Sequence, residues 1–162
     1  MILARTVVYA TLFISFVLVF VPARILEWSH LARPETVGIP QIIGAALVIS
    51  GGAVALWCVF TFAFIGKGTP APFDPPRKLV VRGPYRFVRN PMYIGAGVAM
   101  MGAGIFYESW SLAGYAFMLG LVVHIFVTTY EEPTLARTFG ADYGEYRKRV
   151  HRWWPRNPGP QV

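Results

Sequence analysis

The chain has 162 residues, of which 55% are hydrophobic and only 14% charged, and it carries a net charge of +7. A soluble domain of this size lacks the interior to hide so much apolar surface, so the composition excludes an ordinary cytoplasmic globule and points to a membrane protein. The one cysteine, Cys58, excludes an internal disulfide and a thiolate metal cluster, and inside an apolar run it reads as a small buried hydrophobe.

In chain order, the first apolar run is uncharged from Thr6 to Ala23, 18 residues. As a helix that is about 27 Å, near the full thickness of a hydrocarbon core. A signal-peptide apolar region is shorter, and no small-x-small cleavage pattern closes this one, so a retained membrane helix over roughly Ile2–Ala23 is expected. The second segment, roughly Ile39–Ile65, is long enough to tilt, and its "ISGGAVA" stretch supplies small residues for helix packing. The third and fourth, about Met92–Tyr107 and Ser111–Tyr130, are separated by little more than "YESW" and predict a tight helical hairpin. Gly95, Gly97, Gly102, Ala103 and Gly104 would let its helices approach their neighbours closely.

Four spans put the N-terminus, the second connection (66–91) and the tail on one side. That side holds 13 of the 15 Lys and Arg residues, and the positive-inside rule makes it cytoplasmic. Topology thus accounts for the charge without nucleic acid. Within the second connection, "GKGTPAPFDPPRKLVVRGPYR" is too rich in Pro and Gly for a helix; an extended loop is expected, with "KLVV" as a brief extended element. In the tail, Pro133 suits a helix first turn and Gly140 a stop. Tyr143, Tyr146 and Val150 fall near one helical face, and Trp153 and Trp154 suit a headgroup-level anchor.

The two cytoplasmic segments collect Arg82, Arg86, Arg89 and Arg149, the pair Glu131–Glu132, and several tyrosines. Positive-inside bias accounts for Arg82. Arg89 differs, because "RNPMY" ties its guanidinium fork to the start of the third helix. Acidic residues sit badly at a helix C-terminus, where the dipole is already negative, so the glutamate pair reads either as a functional site or as the lead of a following helix. Arg149 lies in "YRKRV", for which a basic amphipathic face is a rival reading. His124, alone in the fourth segment, is expected to be a hydrogen-bonded core histidine. The sequence contains no metal-ligand constellation and no phosphate-binding loop, and Gly95-Ala96-Gly97 lacks the preceding strand of a Rossmann site. From the residues alone, an enzyme at the lipid surface, a small transporter and an accessory subunit all stay open.

"GPYRFVRNPMYIG", a helical hairpin, and then "EEPTLARTFGADYGEYRKRVHRWWP" resemble the isoprenylcysteine carboxyl methyltransferase and phospholipid methyltransferase superfamily, over about Gly66–Pro155. These are integral membrane enzymes that use S-adenosylmethionine without a Rossmann fold. The resemblance implies one all-α membrane methyltransferase domain of about four transmembrane helices, the last two a hairpin, with a cytoplasmic helical tail. Residues 1–65 would hold the first two helices, 66–91 the motif loop, 92–130 the hairpin and 131–162 the cofactor-binding tail. It also implies that Gly83, Pro84 and Tyr85 touch the cofactor, that Arg89, Asn90, Pro91 and Tyr93 wall its pocket, and that Gly95 and Gly97 allow close approach. Glu131 and Glu132 match the family's paired glutamates, Tyr143 and Tyr146 its tail tyrosines, and Arg89 and Arg149 arginines implicated in catalysis. Carboxylates suit the cofactor's sulfonium and ammonium, arginine its carboxylate, and tyrosine faces its cation or adenine. Many relatives have R-H-P where this chain has Arg89-Asn90-Pro91; asparagine can hydrogen-bond but cannot act as a base near neutral pH.

The implied reaction moves a methyl group to a lipophilic or amphipathic acceptor, an isoprenylcysteine-type carboxylate or a phospholipid headgroup, leaving S-adenosylhomocysteine and needing no metal. Membrane lipids are the implied partners. The implied location is multi-pass in a membrane, for a bacterium the inner one, with both termini and the active site cytoplasmic. A small-thiol methyltransferase and a non-catalytic accessory or transport protein are the alternatives.

Overall fold

The computed structural model describes residues 12, 14–29, 34, 36–61 and 79–155. Most of the first half of the N-terminal run, the end of the second apolar segment, the first half of the motif loop and the last seven residues lie outside them. Among the described residues the secondary structure is helical, without strands. A π-helical turn, Phe16–Phe20, leads into α1 (Val21–Trp28), followed by α2 (Ile39–Thr61), α3 (Pro91–Phe106), α4 (Trp110–Phe126) and α5 (Glu132–Arg149). A second π-helical turn, Val127–Glu131, joins α4 to α5, so Trp110–Arg149 is a 40-residue helical path interrupted at Gly140.

Two helices, Ile39–Thr61 and Trp110–Arg149, are long and apolar enough to cross a membrane. Only 17% of the most apolar stretch of each is buried within the protein. The core helix of a soluble protein would bury most of that surface, so lipid is the solvent these faces suit. At 16 residues α3 spans about 24 Å, shorter than a usual transmembrane helix.

Two expectations need correction. Arg24–Trp28, beyond the expected helix end at Ala23, is helical: Arg24 pairs with Glu27 one turn on, and the turn closes where the Ser29 hydroxyl and amide both donate to the Ile25 carbonyl. Gly140, by contrast, stops the first part of the tail helix as expected, and a second part follows across a kink. With φ 52° and ψ −122° it leaves the helical region, and helix resumes to Arg149. Leu79–Val81 of "KLVV" form no strand; the extended pairing lies at Val88 and His151, in an isolated parallel bridge.

The chain divides into two compact units, Met1–Ala53 with Gly95–Val122, and Val54–Ile94 with Val123–Val162. In the second unit, Cys58, Val80 and Tyr85 form one buried cluster with Val54 and Met92 against it. Tyr143, Tyr146 and Val150 form another, flanked by Leu79, Leu135, Ala136 and Phe139.

In the first unit, α2 and α3 meet backbone to backbone. A Cβ on Gly51 would lie 2.4 Å from the Gly95 carbonyl oxygen, and one on Gly44 would lie 2.6 Å from the Phe106 amide nitrogen. From the other side, a Cβ on Gly102 would lie 2.7 Å from the Leu47 Cβ. Both helices therefore carry contact glycines seven residues apart, about two turns, which keeps them on one face. Met100, Leu112 and Ala116 fill the adjoining core. At the hairpin turn, the Gln41 amide donates to the Phe106 carbonyl (3.1 Å) and to Glu108 Oε1 (3.0 Å), satisfying an α3 C-terminal carbonyl. The Leu112 amide donates to Ser109 Oγ (3.2 Å), which caps α4.

Gly51→Leu should therefore force α2 and α3 apart and destabilise the detergent-solubilised protein by about 1–3 kcal/mol, the usual penalty of overpacking. Gly52→Ala, whose Cβ would meet nothing within 4 Å, should leave the thermal midpoint almost unchanged. Thermal denaturation followed by circular dichroism compares the two.

Candidate functional site

The site grows from the segment "RGPYRFVRNP". Gly83 opens it with φ +60°, and a Cβ there would lie 2.9 Å from Thr61 Oγ1, so glycine is required on both counts. Pro84 then starts a 3₁₀ turn, Gly83–Arg86, which buries Pro84 and Tyr85 and leaves Arg86 exposed over the Phe87 ring at 4.3 Å. Tyr85 is held twice, by a hydrogen bond shared with the Cys58 sulfur and through its carbonyl, which accepts from the Tyr146 hydroxyl at 2.7 Å.

The next three residues are stapled to the chain that follows α5. Val150 leaves the helix with φ −122° and ψ 129°, and His151 pairs in parallel with Val88. The Arg89 amide donates to the His151 carbonyl (2.9 Å), and the Asn90 side-chain amide donates to the Arg152 carbonyl (3.2 Å). Pro91 begins α3, at a position whose amide would have no helical partner.

These restraints bring three charges together. Arg89 Nη1 lies 2.9 Å from Glu132 Oε1, and the two side chains are only 10% and 5% exposed. From the other side Arg152 grips Glu132 with both arms of its fork, Nε to Oε1 at 2.7 Å and Nη2 to Oε2 at 2.8 Å. Burial alone would raise the Glu132 carboxyl, but the Arg152 hydrogen bonds and the charges of Arg89, Arg152 and Arg147 outweigh it and hold the group below its ordinary value. Arg89 is less completely served. Its buried Nε has no hydrogen-bond partner, and its Nη1 contact with Glu132 is an ion pair at an angle that misses a hydrogen bond.

Glu131 turns another way. Its Oε2 accepts from the Tyr93 hydroxyl at 2.9 Å. Burial pushes its carboxyl above the ordinary value, the Tyr93 hydrogen bond partly offsets this, and the Glu132 charge adds to it. Burial likewise lifts the phenols of Tyr85 and Tyr146 well above their usual range, so both stay neutral donors. Tyr143 is fully enclosed beside them.

Of the residues singled out from sequence, Gly83, Pro84, Tyr85, Arg89, Asn90, Pro91, Tyr93, Glu131, Glu132, Tyr143 and Tyr146 all fall in the second unit. Gly95 and Gly97 belong to the first unit. There Gly95 presents its carbonyl to Gly51, whereas a Cβ on Gly97 would meet open space. Arg149 is not drawn into the charge cluster; its side chain is 77% exposed and pairs with Glu145 one turn back at 2.9 Å. Arg152, counted from sequence only as one of the tail's basic residues, is the arginine that reaches Glu132. His124 also departs from expectation. It is exposed rather than in the core, and its Nδ1 accepts from Trp153 Nε1 at 3.1 Å because the chain after α5 returns alongside the end of α4. The adjacent "RWW" was the available signal for both contacts.

A carboxyl held below its ordinary value stabilises the fold above that value and stops doing so as pH falls through the folded one. The Glu132 contribution should therefore be present above about pH 4.5 and lost below it. Glu132→Gln should lack that part of the acid-side decline. It should also be destabilised near neutral pH by about 3–5 kcal/mol, because two guanidiniums lose their counter-charge. Thermal midpoints measured across the acid range test both.

The phospholipid methyltransferase family matches residues 39–142, a stretch that takes in α2, the motif loop, the hairpin and both glutamates. The nickel-cobalt-cadmium resistance protein NccN of Alcaligenes xylosoxydans xylosoxydans is 30% identical over 99 residues, which are 59% of this chain and 46% of that protein. The aligned stretch is thus about half the length of that relative. No solved structure matches the chain. With a family match over more than half its length, the chain belongs to the phospholipid methyltransferase family.

Proposed function

We propose that the protein is an integral membrane methyltransferase that moves a methyl group from S-adenosylmethionine to a lipophilic or amphipathic acceptor at the cytoplasmic face. The observation that carries the reading is the buried cluster of Arg89, Glu132 and Arg152 beside Glu131 and Tyr93, assembled from the segments that bear the family's motifs. The residues present fit the cofactor. The unpartnered Nε of Arg89 is a buried donor suited to a carboxylate, Glu131 is a partly buried carboxylate suited to a cation, and Tyr85 and Tyr93 offer phenols close by.

In this reading Gly83, Pro84 and Tyr85 form one wall of the cofactor site, Arg89 to Pro91 with Tyr93 another, and Tyr143 and Tyr146 its floor. S-adenosylmethionine supplies an electrophilic methyl, and displacement at it needs no metal. The protein's part is to align the acceptor, exclude water and hold charge in place. Asn90 cannot accept a proton near neutral pH, and its amide is engaged with the Arg152 carbonyl, so the acceptor is anionic already or gives its proton to a carboxylate or water. Arg89 is the arginine proposed to act at the reacting centre. Arg149, on the exposed face of α5, is proposed to steady an acceptor's phosphate or carboxylate.

The proposed arrangement in the membrane has four spans, with both termini, the motif loop and the tail in the cytoplasm. It is supported by the placement of 13 of 15 basic residues. A second reading takes its support from the name of the relative NccN: a non-catalytic membrane component of a metal-resistance system. Among the described residues no group of His, Cys, Asp and Glu is arranged to hold a metal ion.

Calorimetric titration of the detergent-purified protein with S-adenosylhomocysteine tests the enzyme reading. Binding is expected, and Arg89→Gln should weaken it about ten-fold or more, the worth of one charge-assisted contact. Absence of binding by the unaltered protein would favour the non-catalytic reading. Transfer of labelled methyl should favour phosphatidylethanolamine or a prenylcysteine analogue over a small thiol, and a soluble thiol that outcompeted both would overturn the lipophilic acceptor. For topology, a cysteine at exposed Asp142 should be labelled from the cytoplasm and one at exposed Ser111 from outside. The native thiol at Cys58 is fully buried and should give little background.

A further inference from the structure

We infer that the two adjacent glutamates have divided roles: Glu132 is locked as an internal counter-ion, and Glu131 is the carboxylate that reads the positive charge of the methyl donor, so that the site prefers S-adenosylmethionine over the spent S-adenosylhomocysteine. This rests on the function proposed above.

The two side chains leave one helix about 100° apart, and they meet different partners. Glu132 has its charge matched twice over. Oε1 faces Arg89 Nη1 and Arg152 Nε, and Oε2 faces Arg152 Nη2, at 2.7–2.9 Å. A further cation brought to this carboxylate would also meet two guanidiniums, and their repulsion would cancel the attraction. Glu132 therefore cannot discriminate by charge.

Glu131 has the opposite surroundings. It is bonded to one neutral phenol, Tyr93, through Oε2, and among the described residues no Lys, Arg or His lies within ion-pair distance of it. Oε1 has no hydrogen bond to the described residues, yet it is not among the sealed-off polar atoms, which are both on Arg89. A partly buried carboxylate without a cation is costly to ionise, and its raised proton affinity expresses that cost. An incoming cation supplies what the fold leaves out. The donor and its product share the adenosine, the ammonium and the carboxylate, and differ only in the methyl that makes sulfur a sulfonium. A carboxylate at the sulfur end separates the two by charge, and the Tyr93 hydrogen bond fixes the direction in which that carboxylate points.

The test is the ratio of affinities for S-adenosylmethionine and S-adenosylhomocysteine, measured by calorimetry on the detergent-purified protein and its variants. The unaltered protein should bind the methylated form more tightly by about ten-fold. Glu131→Gln keeps the shape and can still accept from Tyr93, and it should bring the ratio close to one while changing the affinity for S-adenosylhomocysteine only a few-fold. Glu132→Gln should weaken both ligands in proportion and leave the ratio standing. Because that variant removes a buried counter-ion on which folding depends, Arg152→Lys serves as a second probe of the same locked carboxylate, with the same expectation of an unchanged ratio. An unaltered ratio in Glu131→Gln, or a collapsed one in either of the other two variants, would overturn the division of roles. Equal affinities in the unaltered protein would overturn it too, while leaving the methyltransferase reading intact. Binding of neither ligand would overturn both.

Discussion

Glu132 is the point at which three separate parts of the chain are joined. Arg89 comes from the segment before α3, Glu132 from the start of α5, and Arg152 from the residues that follow α5. A carboxylate 5% exposed between two guanidiniums is not a cheap way to hold a protein together, because all three groups lose hydration. Its value is directional. The fork of Arg152 meets both oxygens, and that geometry is satisfied in one arrangement of the backbone only. Leaving out Glu132 strands two guanidiniums, whereas leaving out either arginine still leaves the carboxylate one partner, so the cluster depends most on its centre.

The backbone bonds around it carry the same restraint further. With the His151 carbonyl taken by the Arg89 amide and the Arg152 carbonyl by the Asn90 side chain, the four residues after Val150 have little freedom. Trp153 closes the sequence of contacts on His124. A short extended segment thus links the end of the helix to the loop before α3, without belonging to a sheet.

Much of this was legible in the sequence, and the line between what was and was not follows from range. Hydropathy located α2, α3 and α4, because a helix in lipid must show a long apolar run whatever its neighbours are. Small residues marked the close approach at Gly51, Gly95 and Gly102, although the partner of each glycine was not readable. Gly83 and Pro84 were visible as turn-makers. The choice between Arg149 and Arg152 was not legible. Both lie in a basic tail, and a helix continued one turn further would have placed them on neighbouring faces. The change of φ and ψ at Val150 decides which arginine turns inward, and that change answers to the pairing of His151 with Val88, 63 positions earlier. His124 escaped for the same reason, since its partner is Trp153. Gly140 was correctly seen as a break, and the helical face of Tyr143, Tyr146 and Val150 beyond it packs into its own apolar cluster.

The π-helical turn Val127–Glu131 bears on how this family of sequences can vary. Such a turn is an α-helix with one residue too many, its hydrogen bonds widened to accommodate the surplus. Everything beyond it is rotated by about 100° relative to an unbroken helix. Here the surplus falls immediately before Glu132, so it sets the azimuth from which that carboxylate meets Arg89 and Arg152. A lineage that dropped one residue from this stretch would keep its composition, its hydropathy profile and its paired glutamates, yet aim both side chains at the wrong neighbours. The spacing between the last apolar turn and the acidic pair is thus a quantised quantity, and alignments that slide a gap through it would hide the difference.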